Sequence, residues 1–116
     1  MFRPQLQPEV PAVTVEEAAA MVEDGALLID IRELDEWQML RIPGAEFKPL
    51  SQIQDWFEEL PRDVDIILQC RSGNRSAQAT NALISQAGFG RVYNLTGGLI
   101  AWHSANLPVD RGPAPE

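Results

Sequence analysis

The sequence predicts an α/β domain with a central, mostly parallel sheet covered by helices on both faces. Two runs, Ala26 to Ile31 and Val64 to Gln69, are rich in branched apolar residues and too short for typical helices, as strands buried on both faces are. Segments with apolar residues at helical spacing lie between and around them. Strands that alternate with helices form parallel sheets joined by right-handed crossovers. The chain has 116 residues, 45% of them apolar, which suffices for one such domain and not for two.

Each element has its own local reason. Pro4, Pro8 and Pro11 deny residues 1–13 helix and ladder hydrogen bonds, so this stretch reads as an extended arm before a domain spanning 14–109. Thr14 and Glu17 form a capping box, Val15, Ala18, Ala19 and Val22 share one helical face, and Gly25 supplies the stop. The strand 26–31 follows, then a short helix over Glu33 to Leu40, a break at Ile42-Pro43-Gly44 and an extended piece at Glu46-Phe47. Between Ser51 and Leu60 the residues Ile53, Trp56, Phe57 and Leu60 recur at helical spacing, which predicts a helix with an aromatic core stripe. Pro61 ends it, and the second strand runs straight into Cys70.

After the loop 70–75, Ser76 to Ala87 reads as a helix packed through Ala79, Ala82, Leu83 and Ala87, with Gly88 as its cap. Arg91 to Leu95 is a last strand, Thr96-Gly97-Gly98 a turn, and Leu99 to Asn106 a final helix. Residues 110–116 read as a flexible tail. Gly88-Phe89-Gly90 follows a helix and lacks a third glycine in register, so it is a cap and turn and not a nucleotide loop.

Nine Lys and Arg against seventeen Asp and Glu leave a net charge of −8, which argues against nucleic acid and anionic membranes as partners. The single cysteine excludes an internal disulfide and a thiolate cage for zinc or an iron–sulfur cluster; no metal or cofactor is expected. The first residues lack the apolar core of a signal peptide and no membrane-length apolar run exists. A soluble protein of the reducing cytoplasm is the expectation.

The chemistry concentrates in Cys70-Arg71-Ser72-Gly73-Asn74-Arg75-Ser76, between a buried strand and a helix. In such a loop successive main-chain N–H groups converge into an anion-binding nest, and the helix start adds roughly half a positive charge. Gly73 and Asn74 are the residues that most readily turn the backbone left-handed there. A thiol at a helix N-terminus beside arginine drops from a pKa near 8.5 to about 3.5–7.5, so Cys70 is predicted to be a standing nucleophile without a histidine base. The lone His103 reads as an ordinary, partly exposed residue. A buried structural thiol is the alternative for Cys70, but it gives no reason for two arginines, a glycine and an asparagine within five positions.

Four segments together resemble the rhodanese family of single-domain sulfurtransferases: Asp30-Ile31-Arg32-Glu33, Ile42-Pro43-Gly44-Ala45, Cys70 to Ser76, and Gly97-Gly98-Leu99-Ile100-Ala101-Trp102. The resemblance spans roughly Thr14 to Val109 and implies a three-layer sandwich. It implies that Cys70 takes the outer sulfur of thiosulfate or a related small sulfur-containing anion, carries it as a persulfide, and passes it to a thiol, cyanide or a protein cysteine. Arg71, Ser72, Gly73, Asn74 and Arg75 would hold the anion through loop amides and the two guanidinium groups. Ser76, Asp30 and Arg32 would support the loop, with Asp30 and Arg32 as a structural pair and Glu36 as its third member.

The family often has Gly-His before the Ile-Pro-Gly turn; here those places hold Leu40-Arg41. A regulatory, non-catalytic interaction module is an alternative function. A phosphatase is a weaker one, because phosphatase loops of this kind place five residues between Cys and Arg and here there are four.

Overall fold

The computed structural model describes residues 10–113. The two apolar runs become β2, Leu27–Asp30, and β5, Ile66–Gln69, which pair in parallel along their whole length with Leu27 opposite Ile66 and Asp30 opposite Gln69. On one side of this centre β2 pairs with β4, Glu46–Phe47; on the other β5 pairs with β6, Val92–Leu95, and β6 with β1, Ala12–Val13. The five strands run in the order β1-β6-β5-β2-β4, all parallel. Ala12 and Val13 thus belong to the sheet although proline punctuation assigned them to an arm. Asn94 and Thr96 donate to the carbonyls of Pro11 and Val13, so Pro11 enters the edge ladder as an acceptor, the one backbone role open to it. The rest of the arm, residues 1–9, lies outside the described residues.

Side chains alternate across the sheet as the period of two requires. Ile29, Ile31, Ile66, Leu68, Cys70 and Val92 face α3 (Ile53–Trp56) and α4 (Asn74–Ala87), where Trp56, Ala79, Leu83 and Phe89 complete the core. Leu28, Ile67 and Leu95 face α1 (Val15–Glu23) and α5 (Gly98–Ser104), meeting Val15, Ala18, Leu99 and Trp102. This gives helices on both faces of a parallel sheet. The α1 capping box forms as read, with Thr14 N donating to Glu17 Oε1 at 2.8 Å and Glu17 N to Thr14 Oγ1 at 3.1 Å.

Three local expectations change. The helix over 51–60 forms as three short pieces, 3₁₀ turns Leu50–Gln52 and Phe57–Glu59 around α3. Its winding breaks at Gln52 and Trp56, where φ reaches −117° and −120°, and the Trp56 indole is tied back to the Pro49 carbonyl at 2.9 Å. Helix α4 begins at Asn74 rather than Ser76, so only Gly73 is left-handed (φ +101°) and Asn74 is already helical. The expected tail contributes β7, Asp110–Arg111, antiparallel to β3, Leu40–Arg41, which follows α2, Leu34–Met39. Buried Arg41, standing where the family has histidine, donates to the carbonyls of Trp37 at 3.0 Å and Gly112 at 2.5 Å and so fastens this segment. Residues 114–116 are outside the described part.

Candidate active site

Cys70 follows the last residue of β5, where the strand's alternation turns its side chain toward α4. Gly73 then caps α4 in the left-handed region, folding the chain back so that its own amide and that of Ser76 in the first helical turn face the sulfur. Gly73 N lies 3.1 Å and Ser76 N 3.5 Å from Cys70 Sγ, and the Ser76 hydroxyl 3.4 Å. The thiol is 1% exposed. That burial pushes its pKa up, but the Ser76 hydroxyl and the amides of Ser76, Gly73 and Ser72 outweigh it and hold the thiol below the ordinary cysteine value. The thiolate is therefore favoured by hydrogen bonds made to the charged form.

The loop is itself held from behind by the Gly97-Gly98 turn. Leu99 N donates to the Cys70 carbonyl at 2.9 Å and Ile100 N to the Arg71 carbonyl at 3.0 Å, so the start of α5 stitches the loop in place. Gly98 makes this approach feasible: with φ +58°, a Cβ there would lie 2.7 Å from the Arg71 oxygen. The sequence offered the two glycines as a turn; their packing against a loop nearly thirty residues away, roughly one α-helix and one strand earlier, had no sequence signal.

The arginines divide in role. Arg75 makes two 2.8 Å hydrogen bonds to the two carboxylate oxygens of Glu36 on α2. This bidentate pairing lowers the Glu36 pKa to about 2, against a partial desolvation that raises it, and raises that of Arg75. Glu36 also accepts from Glu33 N at 3.1 Å, while toward Arg32 it offers only its main-chain carbonyl, at 3.4 Å. Its carboxylate thus belongs to Arg75 and not to the Asp30–Arg32 pair. Arg71 is exposed, enters no ion pair among the described residues, and lines a cleft of about 380 Å³ together with Met39, Leu40, Ile100 and His103. The Ser72 and Asn74 side chains are exposed, and neither the Asn74 nor the Arg75 amide bonds the sulfur.

Asp30 and Arg32 form the expected structural pair. Both are buried, with Arg32 Nη2 to Asp30 Oδ2 at 2.8 Å and Arg32 Nε to Oδ1 at 3.0 Å, and Arg32 Nη2 also donates to the Leu40 carbonyl at 2.5 Å. This anchors α2 and β3 to the end of β2. A residue not anticipated from the sequence is Asn94 of β6, whose Oδ1 is 2.5 Å from Ser76 Oγ. Among the described residues no three His, Cys, Asp or Glu side chains converge to hold a metal, and no helix is long and apolar enough to cross a membrane.

A family model described as "Rhodanese-like domain" matches residues 14–105. A sulfurtransferase of Allochromatium vinosum is 42% identical over 101 residues, covering 87% of this chain and 92% of that protein. The thiosulfate sulfurtransferase GlpE of Pseudomonas fluorescens is 33% identical over 96 residues, covering 83% and 87%. Among solved structures, the thiosulfate sulfurtransferase of Pseudomonas aeruginosa superposes with a TM-score of 0.79 at 29% identity, over 90% of this chain and 21% of that one. The nest around Cys70, the sheet that carries it and these likenesses converge on one conclusion: the chain belongs to the rhodanese-like domain family.

Proposed function

We propose that this protein is a sulfurtransferase in which Cys70 carries sulfane sulfur from thiosulfate, or a related anionic donor, to a thiophilic acceptor. The observation that carries this reading is the set of donors on Cys70 Sγ, Gly73 N at 3.1 Å, Ser76 N at 3.5 Å and the Ser76 hydroxyl at 3.4 Å, with no histidine hydrogen-bonded to the sulfur among the described residues. The names of the relatives support the reaction class. The Cys70 thiolate attacks the outer sulfur of the donor; the new S–S bond forms as the bond from that sulfur to the sulfonate breaks, and sulfite leaves with the electron pair. Loop amides then hold the terminal anionic sulfur of the persulfide. A thiolate acceptor, whether a small thiol or a protein cysteine, or cyanide in an assay, attacks that terminal sulfur and returns Cys70 as thiolate. The chain has no second cysteine, so the acceptor comes from outside.

Arg71 is the side chain that supplies attraction for the donor, since the Arg75 charge is matched by Glu36. Arg75 serves by holding α4 against α2, which keeps the amides aimed. Four residues between Cys70 and Arg75 make a smaller ring than a phosphatase loop and suit a sulfur anion. A reducing, cytoplasmic setting belongs to the same reading, because a low-pKa thiol is consumed by oxidation elsewhere. The test is intact mass spectrometry after incubation with thiosulfate. One sulfur atom is gained, is lost on cyanide treatment, and never appears on Cys70→Ser; a wild-type protein that gains none overturns the proposal.

A further inference from the structure

We propose that Asn94 is a positioning residue that acts on the Cys70 sulfur through the Ser76 hydroxyl, by turning its side-chain amide over as the sulfur gains or loses its proton. The biological use of this device rests on Cys70 being the sulfur carrier, but its operation on the thiol does not.

Asn94 sits on an interior strand of the sheet, β6 between β1 and β5, with Ala12 and Leu68 as its register partners. Such a site favours a branched apolar residue, and an amide there, 8% exposed, needs a partner. Its partner is Ser76, 0% exposed, whose Oγ lies 2.5 Å from Asn94 Oδ1 and 3.4 Å from Cys70 Sγ. Thr80 Oγ1 donates to the Ser76 carbonyl at 2.7 Å, which fixes this turn of α4.

A hydroxyl has one proton and can donate it in one direction only. When Cys70 is a neutral thiol, the chain runs outward: S–H donates to Oγ and O–H to Asn94 Oδ1. When the sulfur is anionic, Ser76 must donate to it, and its oxygen then needs a donor in turn. Rotating the Asn94 amide by half a turn puts Nδ2–H at Oγ and releases the serine proton to Sγ. A side-chain amide offers a donor and an acceptor on one planar group, so it serves both states; an isosteric carboxylate only accepts and would keep the serine proton away from the sulfur.

The test is the pH dependence of Cys70 alkylation by iodoacetamide on the full chain, which reports thiolate without requiring sulfur transfer. The charged and titratable groups around the thiol are Arg71 on its loop, Arg75 on α4 with Glu36 of α2 against it, the Asp30–Arg32 pair at the end of β2, and His103 of α5, which lines the cleft with Arg71. None is altered by the substitutions, so their contribution cancels between variants. Ser76→Ala is expected to raise the midpoint by about one pH unit, the loss of one hydrogen bond to an anion. Asn94→Ala raises it by roughly half that, since the freed hydroxyl can turn to a helix carbonyl instead. In the Ser76→Ala background, Asn94→Ala adds nothing and Asn94→Asp adds only its through-space charge, less than it adds beside Ser76.

An Asn94→Ala shift that is absent, or of equal size with and without Ser76, overturns the proposal. Should the alanine variant fail to fold by circular dichroism, Asn94→Asp keeps the shape, and an equal shift in both backgrounds overturns it in the same way. A coupled cycle in a protein that gains no sulfur from thiosulfate supports the Asn94 device and refutes the carrier reading. Additive shifts in a protein that does form the persulfide refute the device alone.

Discussion

Replacing Gly98 by alanine tests whether the Cys70 loop is held by close backbone approach or merely by a turn. A left-handed backbone costs a residue with a Cβ about 1–2 kcal/mol. At Gly98 the Cβ would also meet main-chain atoms, the Arg71 oxygen at 2.7 Å and its carbonyl carbon at 2.8 Å, which cannot swing aside as a side-chain tip can. Overpacking of this kind adds about 1–3 kcal/mol, for a total of about 2–5 kcal/mol. Gly25 is the control: its φ is +101° and nothing lies within 4 Å of a Cβ there, so alanine incurs the conformational part alone. At roughly 4 °C per kcal/mol for a domain of this size, Gly25→Ala lowers Tm by about 4–8 °C and Gly98→Ala by about 8–20 °C. Pushing α5 back also stretches the bonds from Leu99 N to the Cys70 carbonyl and from Ile100 N to the Arg71 carbonyl, so Cys70 alkylation slows in Gly98→Ala only. Calorimetry and timed alkylation read both effects. Equal losses of Tm, with alkylation at the wild-type rate, would refute the reasoning.

Other substitutions probe the charges. Glu36 has its pKa lowered to about 2 in the folded state by the Arg75 hydrogen bonds, so its contribution is complete above the unfolded value of 4.5 and is lost as pH falls toward 2. With the two side chains 27% and 39% exposed, screening limits that contribution to about 1 kcal/mol. Glu36→Gln should thus melt a few degrees lower than wild type at pH 7 and together with it near pH 2; a gap unchanged across pH would contradict the assignment. Asp30→Asn leaves the Arg32 charge buried without its counter-ion and should cost about 3–5 kcal/mol in urea unfolding; a loss below 1 kcal/mol would mean that water reaches the pair. Arg71→Ala should raise the KM for thiosulfate by about fivefold, the effect of about 1 kcal/mol of attraction, while alkylation by neutral iodoacetamide is little changed. Equal slowing of both reactions would instead place Arg71 in the structure of the loop.

Local and short-range physics made much of this protein legible from its residues. Unbroken branched runs can be buried on both faces only as interior parallel strands, which placed Leu27–Asp30 and Ile66–Gln69 and put Cys70 at a strand's carboxyl end. The Thr14–Glu17 box and the Gly88 cap act within a single helical turn, and so they too were readable. Asp30 and Arg32 are two positions apart and meet as expected. Where winding depended on what the core would accept, as in the segment around Trp56, periodicity gave the buried face and not the helix.

The placement of Cys70 at the end of β5, the loop that follows it and the order of elements were therefore determined by the sequence alone, because each depends on neighbours along the chain. Tertiary structure decided which of the two loop arginines meets a carboxylate, what stands behind the serine hydroxyl, and what holds the loop from below. Glu36 meets Arg75, Asn94 meets Ser76, and Gly98 meets Arg71 only after the crossovers bring α2, β6 and α5 around the end of β5. Contacts between distant positions carry no periodic trace, since what selects them is the geometry of the assembled sheet and its helices.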